Sequence, residues 1–516
     1  MSIDIKPAEI PAMIERSHSE SPEAAGARRW VLLAVGSLLL SGVLALLLVV
    51  ARAPVFSRLV TDPAFFRRCL VVHVDLSLLV WVYAFAAALL FLLPRPGRSS
   101  LASRAGVYVS ALGVLMLLVA AAAPGAQPIL ANYVPVIDHW SFGAGLLVFA
   151  AGVLVSVVDR RLLPSEPVPG SVLSVPAAAV PGLRTTGIAL CIAALTFAAT
   201  WLRRPSGLDP ATLYELGNWG GGHVLQLAST AAMLSVWLIL LSGVLGRSPV
   251  SRNVAAALFG LLLLPWTLAP LLAASGMQDV AAREGFTLLM RWGIFPPASI
   301  LLVLCVAAVV RGFRDGTLSR ADLRDPRLIG FFASAGLTTL GWILGALIRG
   351  STTMIPAHYH ASIGGVTVAF MAASYPLLEV VGVPVRDSRL ARRAAHLQPA
   401  LFGVGQSVFA VGFALAGAHG MGRKLYGAEQ NAHSVWQKLG LGVMGLGGLL
   451  AIVAGLLFLG IVVGAFLRRQ RAQVSAWELV GPGSFLVPAP AHAQSSTRAG
   501  AGDRFELNQR TGGSNG

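Results

Sequence analysis

Residues 439–467 read LGLGVMGLGGLLAIVAGLLFLGIVVGAFL, twenty-nine consecutive positions without a charge, closed by Arg468 and Arg469. Wound as an α-helix at 1.5 Å per residue, the stretch is about 43 Å long. A bilayer's hydrocarbon layer of roughly 30 Å needs only about 20 such residues. Similar runs recur back to Trp30, and twelve spans follow from them: about 30–51, 66–93, 104–123, 139–158, 184–202, 220–246, 253–274, 285–311, 328–348, 356–382, 399–419 and 434–467. The whole chain is 55% hydrophobic and 12% charged, with a mean hydropathy of +0.73. No water-soluble core hides that much apolar surface, so the bilayer is the solvent and the principal partner. The runs are too long for barrel strands of about ten residues. The fold class expected is all-α, a polytopic membrane bundle of about twelve transmembrane helices.

Connections between spans leave no room for a second folded domain. Residues 1–28 carry Asp4, Glu9, Glu15, Glu20 and Glu23 and lack the basic start and cleavage pattern of a signal peptide, so they read as a soluble tail. Residues 29–468 form the membrane domain. Residues 469–516 turn to Pro, Ala, Gly and Ser, as in VPAPAHAQSSTRAGAG, and are expected to be a disordered tail.

The net charge of +16 does not point to nucleic acid, because the basic residues sit in short loops between apolar spans. Loops on the side of the termini hold 17 Lys and Arg, from Arg95 to Arg393, whereas the opposite loops hold about 10. Arg28, Arg29, Arg468, Arg469 and Arg471 flank the ends. The positive-inside bias therefore places both termini in the cytoplasm. The three cysteines, Cys69, Cys191 and Cys305, form no CxxC, CxxCH or thiolate pair, which excludes covalent haem c and a thiolate copper centre. Electrons entering this chain must come from another protein.

Ten histidines are more informative by position than by number. His73, His223, His358 and His360 lie near the non-cytoplasmic starts of spans 2, 6 and 10, roughly 5–12 Å in. An intramembrane imidazole must face the bundle and find a partner, so a shared metal or haem plane is a simple account of four. A histidine bonded to a neighbouring helix is the plain alternative for any single one. His139, His419 and His433 lie at the water boundary on the same side. In PAHYHASIGGVTVAF, two residues separate His358 from His360, a rotation of about 200° on a helix, so they face opposite ways. Such a helix can hold two haems, one on each side, or one haem and an unrelated partner. The small residues that follow admit a macrocycle or another helix equally well.

These motifs resemble subunit I of the haem-copper oxidase superfamily, which includes cytochrome c oxidases and nitric oxide reductases. HYHASIGGVTVAF resembles its tenth-helix signature, HVDLSLLVW its second-helix haem-ligand segment, GHVLQL its sixth-helix metal-ligand segment and GMGRKLYG its propionate-binding turn. The resemblance implies a multi-pass protein of the bacterial inner (plasma) membrane with two haems, of unspecified type. His73 and His360 would be the axial pair of the low-spin haem, and His358 the sole protein ligand of the high-spin haem. Arg423 and Lys424 would neutralise propionates, and His223 would face the open side as ligand of a second metal, copper or non-haem iron. The implied function is that of a respiratory terminal oxidase or reductase. Electrons would come from a cytochrome or cupredoxin subunit and pass from the low-spin to the high-spin haem to reduce O2 or NO.

The chain departs from that pattern at one place. Where the family's seventh helix carries a histidine pair, this chain reads LLAASGMQDVAARE, and no histidine occurs between His223 and His358. A lone imidazole is a poor copper or iron site, which counts against the second metal. Gln278, Asp279, Glu284 or the boundary histidines would serve only if loops fold inward. One turn after His223 stands Leu227, and no tyrosine or glutamate helper is visible there. A member that binds haem for electron transfer or gas sensing, without turnover, is the alternative. Arg291, in LLMRWGIFPP, is an unusual charge whose partner is expected to be Glu284 or a propionate, unless it snorkels to the interface.

Overall fold

The computed structural model describes residues 21–52, 62–93, 100–159, 162, 175–383, 385, 389–423, 425 and 432–479. Lys424, the first 20 residues and residues 480–516, most of the tail expected to be disordered, lie outside them, whereas residues 469–479 of that tail are helical. Among the described residues, twelve helices are long and apolar enough to cross a membrane. They are α1 (Pro22–Val50), α2 (Pro63–Leu90), α3 (Leu101–Ala122), α4 (Trp140–Val158), α5 (Val180–Leu202) and α6 (Pro210–Leu245). Then follow α7 (Arg252–Ala274), α8 (Val280–Arg314), α9 (Pro326–Ala346), α10 (Met354–Val380), α11 (Arg389–Ala418) and α12 (Val435–Gln470). Two compact units divide the chain, Met1–Arg469 and Gln470–Gly516, and the bundle described here belongs to the first.

Several helices start earlier than hydropathy alone places them, because polar caps extend them past the apolar run. Helix α1 begins at Pro22, where Ser21 Oγ accepts from Ala24 N at 3.1 Å, so Pro22–Arg28 are helix rather than tail. Helix α6 begins ten residues before the expected Gly220: Asp209 caps it through Thr212 N, with Pro210 in the first turn. A Pro in the first helical turn costs nothing, since its missing N–H has no intrahelical acceptor there.

Three helices form the interior. In their most apolar stretches α2, α6 and α10 bury 72%, 72% and 83% of their residues, against 28–50% for the other nine. These three carry the four intramembrane histidines, all within about four turns of the helix start. The outer helices turn residues such as Leu147 and Leu271 outward, as a lipid-facing surface requires.

Two further features shape the end of the bundle where those histidines lie. Between α3 and α4 a two-stranded antiparallel hairpin, β1 (Gln127–Ile129) with β2 (Val136–Asp138), pairs Pro128 with Ile137. Its turn carries Tyr133 at φ 66°, the left-handed region that a bulky side chain seldom enters. Past α11, Gly422 bridges to Thr352 and Thr353 N donates to Met421 O at 2.9 Å. This ties the segment that bears Arg423 to the start of α10.

Candidate functional site

His73 sits on α2 behind the Asp62 cap and the Pro63 start. Its Nδ1 lies 2.9 Å from the carbonyl oxygen of Ser41 on α1, and Ser41 Oγ donates back to the His73 carbonyl at 3.1 Å. Ser77 Oγ donates to the same carbonyl at 2.7 Å. The next turn, Asp75–Val80, widens to a π-helix. An Nδ1–H given to a main-chain carbonyl fixes the tautomer, so Nε2 carries the lone pair, the arrangement found at histidines that ligate metals.

His358 is held the same way by a different helix. Its Nδ1 lies 2.7 Å from the Gly341 carbonyl on α9. Close approach of α9 makes this contact: a Cβ on Gly345 would stand 2.8 Å from that nitrogen. His360 turns to the other side, against α11, with its ring 4.6 Å from Phe409 and 6.0 Å from Phe413. The two histidines thus address different helices, as their spacing requires. Helix α1 links His360's surroundings to His73, because Ser41 anchors His73 while Val49 packs into the apolar cluster of Phe409 and Phe413.

Arg423 Nη1 donates to Asn132 Oδ1 at 3.2 Å, while its Nε is buried without a hydrogen-bond partner among the described residues. A buried guanidinium nitrogen left over in this way suits a carboxylate supplied by a ligand. Asp75, two residues past His73, is also fully buried with neither carboxylate oxygen hydrogen-bonded among the described residues. Nothing in the structure explains it.

His223 differs from the other three. Its Nδ1 donates to Trp219 O at 2.7 Å and its Nε2 accepts from the Tyr133 hydroxyl at 2.8 Å, so both nitrogens have protein partners. No group of three or more His, Cys, Asp and Glu stands close enough to hold a metal among the described residues. His139 caps α4, His419 bonds Leu415 O and stacks on Trp436, and Asp279 caps α8, so these polar groups serve local structure rather than folding inward. Arg291 is exposed on the outer face of α8 beside the exposed Trp292, away from the bundle interior. Its outward position is that of a side chain that snorkels along its apolar stem.

The donor set suits haem: two imidazoles with Nδ1 fixed by carbonyls, a third on the opposite side of α10, and a buried guanidinium nitrogen near the start of that helix. It does not suit a second metal at His223. Sequence reasoning missed Asn132, Tyr133 and Glu215, since it sought a helper for His223 only along the sixth and seventh helices. The usable signal was the glycine run before His223, GGGH, which leaves room for another side chain against α6.

Residues 26–449 match the family model described as Cytochrome C and Quinol oxidase polypeptide I. The chain is 24% identical over 511 residues to an uncharacterized protein of Rickettsia prowazekii, covering 86% of this chain and 95% of the relative. An uncharacterized protein of Aquifex aeolicus is 28% identical over 355 residues, 68% of this chain and 84% of the relative. Cytochrome c oxidase subunit 1 of Thermus thermophilus is 26% identical over 456 residues, 81% of this chain and 79% of the relative. Among solved structures, a haem-copper terminal oxidase shares the fold with a TM-score of 0.66 at 17% identity, covering 86% of this chain and 84% of that one. With twelve membrane-length helices in this arrangement and a family match across most of its length, the chain belongs to the haem-copper oxidase subunit I family.

Proposed function

We propose that the chain is an oxidase-type haem subunit of a respiratory electron-transport chain, taking electrons at a low-spin haem between His73 and His360 and reducing O2, or NO, at a high-spin haem on His358. The observation that carries this reading is the shared anchoring of His73 and His358, whose Nδ1 atoms each meet a main-chain carbonyl on a neighbouring helix. Bound haem would supply one-electron chemistry and a position for a gas ligand.

The chain's own residues have separable tasks. The Ser41 and Gly341 carbonyls orient the imidazoles and raise their basicity. Phe409 and Phe413 exclude water beside His360. Arg423, steadied by Asn132, and Lys424 beside it in the sequence, would receive propionates. With no thiolate pair in the sequence, a cytochrome or cupredoxin subunit would deliver electrons. The charge bias of the loops favours cytoplasmic termini in a bacterial plasma membrane, with residues 29–468 in a single membrane domain.

A second reading has a specific observation in its favour. Because both His223 nitrogens are engaged, that reading takes the chain as a haem protein that transfers electrons or senses gas without turnover. One experiment addresses both: reduced-minus-oxidised spectra of haem-replete protein with and without carbon monoxide, followed by gas consumption from a reduced donor. A low-spin band, a carbon-monoxide-sensitive band and consumption support the first reading. Both bands without consumption support the second, and a featureless spectrum rejects the two together.

A further inference from the structure

We infer that the turn of the α3–α4 hairpin is a built-in partner for His223, so that this imidazole is paired with the Tyr133 phenol and holds no second metal. A histidine whose Nδ1–H is given to a carbonyl has one lone pair left, on Nε2. Here Nδ1 meets Trp219 O at 2.7 Å, and the Tyr133 hydroxyl donates to Nε2 at 2.8 Å. The atom that a copper or iron ion would need is the one the phenol uses.

Three successive turn residues are fastened along one face of α6. Asn132 N donates to Glu215 Oε2 at 2.9 Å and Asn132 Nδ2 to Glu215 Oε1; Tyr133 donates to His223; and the Val134 carbonyl accepts from buried Asn218 Nδ2 at 2.8 Å. Positions 215, 218, 219, 222 and 223 recur at the three- and four-residue steps that align side chains on a helix. Gly222 makes the seat: a Cβ there would lie 2.4 Å from Tyr133 Cβ and Cγ. The left-handed backbone at Tyr133 is strained for a bulky side chain and persists only where surrounding contacts fix it. Burial, reinforced by the negative charge of Glu215, pushes the phenol well above its ordinary range, which keeps it protonated as a donor. Phe286 of α8 covers the imidazole from another side, with ring centroids 5.7 Å apart. Among the described residues, no set of three metal-binding side chains surrounds it.

The test is a metal inventory of the full chain, produced with ample haem and copper, purified, and then incubated with copper and desalted. Haem is read by its pyridine complex, and iron, copper and zinc by mass spectrometry. The expected result is iron equal to haem and copper at least about tenfold below one per chain, because a lone, hydrogen-bonded imidazole is a poor copper site. The inventory of His223→Ala is expected to match the parent. One copper, or one iron beyond haem, that is present in the parent and lost in His223→Ala would overturn the inference while leaving the haem reading intact. Protein without haem would count against the proposed function, yet its copper content would still decide this point.

Discussion

Ser41 and His73 clasp each other across the α1–α2 contact: the His73 Nδ1 lies 2.9 Å from both the carbonyl and the hydroxyl oxygen of Ser41, and the Ser41 hydroxyl donates to the His73 carbonyl at 3.1 Å. Each bond closes a polar group that would otherwise stand inside the hydrocarbon layer, where unsatisfied groups are expensive. The remaining imidazole nitrogen is aimed by two helices rather than by one side-chain torsion.

The first prediction separates the two haems. Replacing His73 or His360 with Ala should abolish the low-spin band of the reduced-minus-oxidised spectrum and leave the carbon-monoxide response. Replacing His358 should do the reverse. If His358→Ala removes the low-spin band and His360→Ala spares it, the two assignments are exchanged.

Much of this was legible in the sequence because hydropathy and helical rotation are local properties. All twelve spans follow from run length, and the opposed directions of His358 and His360 follow from two residues of separation. The carbonyl partners were not legible, since any residue supplies a carbonyl and only packing brings Gly341 to His358. Nor was the His223 pairing, which depends on Tyr133 in a hairpin 90 residues away in sequence.

A second prediction concerns Gly345. Its substitution by Ala would place a Cβ 2.8 Å from His358 Nδ1, in the space the ring now uses. Overpacking of this kind typically costs about 1–3 kcal/mol, and the ring must turn or α9 must withdraw. Carbon-monoxide binding should weaken while the low-spin band persists; equal loss of both bands would indicate general misfolding instead.

A third prediction rests on the buried Nε of Arg423. A charge-assisted hydrogen bond contributes roughly 1.5–3 kcal/mol, so Arg423→Ala should lower haem retention by about tenfold to hundredfold. Arg423→Lys keeps the charge but loses the planar fork, and should fall between the two. Competition with apomyoglobin, followed as haem transfer over time, gives the comparison. Identical transfer from all three proteins would remove Arg423 from the site.

The last prediction tests whether the hairpin turn is held as a unit. Asn132 is the hub: its amide groups bind Glu215, and its side-chain oxygen accepts from Arg423. Tyr133→Phe deletes one neutral hydrogen bond, worth about 0.5–1.5 kcal/mol, and leaves His223 Nε2 unsatisfied. Asn132→Leu deletes both side-chain bonds at once and strands the buried part of Arg423. Thermal unfolding in detergent should therefore rank the parent above Tyr133→Phe, and Tyr133→Phe above Asn132→Leu. Because Asn132 also steadies Arg423, Asn132→Leu should speed haem transfer to apomyoglobin, whereas Tyr133→Phe should not. Faster transfer from Tyr133→Phe than from Asn132→Leu would mean that the phenol, not the Asn132 hub, governs haem retention.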